Sequence, residues 1–106
     1  MHWFYLFGAI IFEVMGTLSI KQTTLTQSYM WGSAVVVFYV ISFTLIGFAV
    51  TKIEISTAYA IWAGIGTALI SILGWLIFKE IMTIQKAIAI LLIIIGSVML
   101  KLQSVE

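Results

Sequence analysis

Glu13 is the residue whose chemistry has to be accounted for first. It lies about ten residues into an apolar stretch covering 3–20, and an ionised side chain at the centre of a membrane helix costs roughly 2.5–3.5 kcal/mol even on lenient scales. The five basic residues are all lysines, at 21, 52, 79, 86 and 101, and none falls in the interior of an apolar stretch. A permanent ion pair is therefore ruled out, leaving protonation or a transient cationic partner. A carboxyl that alternates between the two trades hydrogen ions for cations. A glutamate that stays protonated and only ties helices together is the structural reading of the same residue, although Asn or Gln would do that without an ionisable group.

At helical spacing Glu13 shares its face with Ala9, Ile10, Gly16, Thr17 and Ile20. Small neighbours leave room for a ligand or for a closely packed helix, and both remain open. In a later apolar stretch Tyr59, Trp62, Ala63 and Gly66 fall at i, i+3, i+4 and i+7, one continuous face. Trp62 lies about 10 Å inside the membrane by helical rise, where an indole face can hold a desolvated cation by about 2 kcal/mol. Tyr59 can hydrogen-bond a carboxylate. Tyr39, Ser42 and Phe43 form a similar face at a depth close to that of Glu13. Singly, each aromatic also fits plain packing; together with an unneutralised acid they describe a site for a hydrophobic organic cation, one that repels anions.

The elements that position these residues follow from composition. Of 106 residues, 63% are hydrophobic and 8% charged, with a mean hydropathy of +1.23, outside the range of water-soluble domains. A hydrocarbon core of roughly 30 Å takes about 20 apolar residues, and four stretches qualify, at about 3–20, 30–50, 55–78 and 84–102. The predicted fold class is all-α integral membrane, a bundle of four transmembrane helices forming a single domain over 1–106. Connections of roughly five to nine residues make successive helices antiparallel and leave no room for an extramembrane domain. Trp3, Trp31 and Trp75 sit near span ends, as interfacial indoles do; Trp62 does not. A signal-peptide reading of the first span fails for want of a positive n-region and an A-x-A site.

Several function classes are excluded. A net charge of +1 without arginine provides no basic stripe for nucleic acid. The chain has no cysteine and one histidine, so no metal site is expected, and no cofactor other than the coupling proton. Glycine-rich phosphate loops and Ser/His/Asp sets are absent, so no enzyme is expected.

Gly64 and Gly66 in the third span would permit a local kink, or close helix packing. Ala89, Leu92, Ile93 and Gly96 trace one face of the fourth span, resembling a helix-association seam. Four helices make a thin wall for a pore, so a dimer joined by the fourth helices is expected, each protomer contributing one Glu13. Lys52 and Lys101 fall on one membrane face and Lys21, Lys79 and Lys86 on the other, almost no orientation bias; such a chain can insert both ways and pair antiparallel.

The runs Glu13-Val14-Met15-Gly16-Thr17, with Lys21 downstream, and Ala58-Tyr59-Ala60-Ile61-Trp62-Ala63-Gly64-Ile65-Gly66 resemble those of the small multidrug resistance family of proton-coupled cation exporters. The resemblance covers nearly the whole chain. It implies an antiparallel dimer in the inner (plasma) membrane, both copies of Glu13 in one site, and competition between protons and a small organic cation. Tyr39, Tyr59 and Trp62 match site-lining positions, and Gly64 and Gly66 match a third-helix hinge. Guanidinium exporters of the family typically carry Trp where Gly16 stands, so the chain is more similar to the branch exporting quaternary ammonium and other lipophilic cations. Lys52-Ile53-Glu54-Ile55-Ser56, without the proline usual before the third helix, resembles members that work as hetero-pairs, including polyamine exporters. The first loop lacks the usual Gly-Phe element, and Ala89 stands where the seam often has glycine. Homodimer and heterodimer with a related chain both stay open. A non-transporting partner subunit and a small dual-topology channel are rival classes.

Overall fold

The computed structural model describes residues 2–103. Four helices follow one another: α1 (His2–Thr26), α2 (Tyr29–Ala49), α3 (Ile55–Ile77) and α4 (Ile84–Gln103). Each is long and apolar enough to cross a membrane, and the chain is a multi-pass membrane protein.

The first span ends later than its hydropathy suggests. Lys21 closes the apolar run, yet α1 continues through Thr26, where the Thr23 and Thr26 hydroxyls donate to the carbonyls of Ser19 and Gln22 at 2.8 and 2.9 Å within a polar last turn. The predicted loop shrinks to Gln27 and Ser28. Gln27 takes a left-handed φ of 54° and its N–H closes on Thr23 O at 2.7 Å; the Ser28 hydroxyl then accepts from Met30 N, a side-chain cap for α2. At the far end of α3 the N–H groups of Phe78 and Glu80 both reach Gly74 O, with Lys79 left-handed at φ 58°. Thr83 accepts from Lys86 N at 3.0 Å and starts α4.

α1 is the central element, packed on α2 and α3, while α4 leans on α3. Leu6, Ile10 and Val14 recur every fourth residue and meet Ala49, Ile53, Ala58 and Ile61 in one buried cluster. In hydrocarbon such a cluster gains from close packing rather than from leaving water, which is why small residues mark the contacts. A Cβ on Gly8 would stand 3.1 Å from Leu45, and one on Gly16 would stand 2.9 Å from the Tyr39 ring. Exposed side chains such as Phe4, Val36, Leu76 and Leu92 form the outer apolar jacket.

Candidate functional site

Glu13 stands near the midpoint of α1 and points at α3. Its carboxylate rests on Gly66, where a Cβ would lie 2.7 Å from Oε2; the missing side chain of Gly66 is what admits the acid between the helices. Oε2 is buried without a hydrogen-bond partner. No lysine is paired with it, so nothing among the described residues balances a charge at this depth.

One helical turn back along α3, about 6 Å by helical rise, Trp62 holds the other orphan. Its Nε1 is the second buried side-chain polar atom among the described residues that lacks a partner. The indole meets Phe43 edge to face, with centroids 5.6 Å apart at 69°, and Tyr59 at 5.6 Å and 60°; Phe43 in turn touches Tyr39 at 6.4 Å. Phe43, Tyr59 and Trp62 line a cavity of about 290 Å³ that extends to Val50 and Ile55, at the face carrying the chain's first residues. A second cavity, of about 330 Å³, runs from Thr17 and Ile70 to Lys21, Phe78 and Glu80, at the opposite face. Thr17 is one turn beyond Glu13 and Trp62 one turn from Gly66, so in depth the carboxylate falls between the two cavities, although its side chain lines neither.

The remaining residues singled out in the sequence serve different ends. Thr17 Oγ1 and Tyr39 Oη share a hydrogen bond of 2.7 Å, with the Gly16 backbone directly beneath the tyrosine ring. Ser42 donates to Ala9 O at 2.6 Å, and both residues are buried in the α1–α2 seam. α3 runs as one helix through Gly64 and Gly66, each of which is a contact point: Gly66 for Glu13, Gly64 for Ser97 and Ile93 of α4. On α4, Ile93 therefore faces α3, whereas Ala89 and Leu92 are exposed and Gly96 opens onto free space. Sequence reasoning passed over Ser97, the lone hydroxyl of α4, buried at the α3 contact; a single polar residue in an otherwise apolar helix was the available signal. No cluster of His, Cys, Asp or Glu among the described residues could hold a metal ion.

Comparison with known proteins agrees in one direction. The family model described as Small Multidrug Resistance protein matches residues 1–93. The chain is 38% identical over 102 residues to a Bacillus subtilis protein described as uncharacterized membrane protein YvaE, covering 96% of this chain and 86% of that one. It is 39% identical over 98 residues to multidrug resistance protein EbrB of Bacillus subtilis, covering 91% of this chain and 82% of that one. Against EbrB of Bacillus atrophaeus the identity is 37% over 97 residues, with 91% and 82% covered.

Proposed function

The chain belongs to the small multidrug resistance family, and from that premise we propose that it is a secondary transporter, a proton-coupled antiporter that expels lipophilic organic cations, quaternary ammonium compounds foremost. One observation carries the reading: a carboxylate oxygen buried without a partner, seated on Gly66 at a depth between two cavities that lie toward opposite faces. A proton or an organic cation neutralises it, and the two exclude each other. Arrival of a proton from the acidic side displaces the cation; departure of that proton on the other side restores the acceptor. Exchange between two site orientations is the transport step.

The aromatic walls set the substrate class. Trp62, Tyr59 and Phe43 present mainly ring faces and edges, which suits a bulky cation of delocalised or shielded charge better than a small, strongly hydrated one. Names of relatives as multidrug resistance proteins support a broad specificity. The exposed apolar face of α4 supports a dimer, and either a second copy or a related chain fits it.

Solid-supported-membrane electrophysiology on the purified chain, against quaternary ammonium, guanidinium and polyamine cations under a proton gradient, tests the proposal. Small substrate-triggered currents are expected, strongest for aromatic quaternary cations, weakening as pH falls on the binding side and absent in Glu13→Gln. Gradient-driven uptake by a folded Glu13→Gln variant would remove Glu13 from the mechanism. Currents appearing only with a co-purified related chain would assign the activity to a hetero-pair.

A further inference from the structure

Away from the carboxylate, at the face where α1 begins and α4 ends, Lys101 occupies a setting that cation exchange does not use. Its Nζ lies over the rings of Trp3 and Phe7, 5.3 and 5.5 Å from their centroids. Ring faces attract the ammonium but leave its three N–H groups free to donate, and no carboxylate among the described residues pairs with it. Below it, Phe7, Ile61, Ile65, Ser97 and Val98 line a cleft of about 230 Å³ between α1, α3 and α4, with Lys101 at its rim. α3 and α4 run antiparallel here, so Ile65 and Ser97 mark the deep end and Lys101 the interfacial end. Phe7, Val98 and Lys101 are all exposed, so the cleft opens sideways toward the bilayer.

A groove with a lysine at headgroup level and apolar walls below it matches one class of molecule end to end. We infer that this cleft is a binding site for an anionic phospholipid, its phosphate on the Lys101 ammonium and an acyl chain laid along Phe7, Ile65 and Val98. Charge complementarity selects the headgroup. The position of the cleft within the membrane-spanning segments selects a lipid over a soluble anion, because an acyl chain fills an apolar groove that opens into hydrocarbon and a soluble anion does not. A lipid there would hold the C-terminal turn of α4 against α1, two helices otherwise linked mainly through α3.

Native mass spectrometry of the purified full chain, released from detergent holding equal amounts of phosphatidylglycerol and phosphatidylcholine, measures the preference. Retention of phosphatidylglycerol should exceed that of phosphatidylcholine about fivefold, the factor expected for one lysine near the membrane surface. Lys101→Gln should bring the ratio to parity, Lys101→Arg should keep it, and Lys52→Gln, on the same face but outside the cleft, should leave it unchanged. Val98→Trp, which fills the groove and spares the charge, should also abolish the preference. Parity in the unmodified chain, an undiminished ratio in Lys101→Gln or in Val98→Trp, or displacement of the lipid by inorganic phosphate would each overturn the assignment. Since Lys101 is remote from Glu13, loss of cation exchange in Glu13→Gln leaves this measurement unaffected, and the two readings fail separately.

Discussion

Oε2 of Glu13 lies so close to Gly66 that a methyl group on the glycine would stand 2.7 Å from it. The atom in the way is the end of a flexible side chain, so Gly66→Ala displaces the carboxylate rather than the helix. Helix propensity favours alanine by about 1 kcal/mol, which offsets most of the local strain. Thermal stability in detergent should therefore change little, while affinity for an aromatic quaternary cation, read by calorimetry, falls about tenfold or more. Unchanged affinity would mean that the seat on Gly66 is incidental to binding.

Trp62 should matter through its ring. Replacing it with leucine removes the π-face while retaining an apolar side chain against Phe43, and the loss expected for a desolvated cation is about 2 kcal/mol, or roughly thirtyfold in Kd. Trp62→Phe should fall between the two. Equal affinities in all three proteins would show that the ring cluster packs helices and does not meet the substrate.

How far the sequence announced this arrangement depends on the length scale of each signal. Four spans were legible because hydropathy integrates over a whole helix, and Glu13 stood out because a lone acid in hydrocarbon has few explanations. The C-terminal end of α1 was not, since a helix can run on through a polar, threonine-rich turn that hydropathy does not register. Which neighbour each small residue faces was also hidden. Gly66 and Gly64 read alike in the chain, yet one meets Glu13 and the other Ser97, a difference set by the rotation of α3 between two partners. Ala9 read equally as room for a ligand or for a close helix, and its carbonyl accepts the Ser42 hydroxyl in the α1–α2 seam.

The Thr17–Tyr39 hydrogen bond, at 2.7 Å, joins α1 to α2 within reach of the site. Such bonds in membrane bundles average about 0.6 kcal/mol in double-mutant cycles. Thr17→Val, Tyr39→Phe and the double variant, unfolded by denaturing detergent, should give a coupling near that value. A coupling near zero would show that the hydroxyls are equally well satisfied apart.

Gly16→Ala presents the opposite balance from Gly66→Ala. The added methyl would stand 2.9 Å from two atoms of the Tyr39 ring and 3.3 Å from Phe38 Cβ, and the ring is held from its far end by Thr17. Overpacking of this kind costs about 1–3 kcal/mol, more than the gain in helix propensity. Denaturing-detergent titration should show a net loss of about 1 kcal/mol, and a stabilised variant would mean that α2 slides freely on α1.

Gly96 separates the fold of one chain from its pairing with another. A Cβ there meets nothing within 4 Å, and Leu92, one turn earlier, is 64% exposed, so within a single chain Gly96→Leu costs nothing in packing and gains slightly in helix propensity. If α4 joins protomers through this face, the same bulky residue holds the two helices apart. Gly47 on α2 offers a matched control, since a Cβ there also meets nothing within 4 Å. Energy transfer between donor- and acceptor-labelled chains in vesicles, followed on lipid dilution, should show association weakened at least tenfold by Gly96→Leu and unaffected by Gly47→Leu, with single-chain stability undiminished in both. The reverse result would move the interface to α2, and with it the partner wall that faces Glu13.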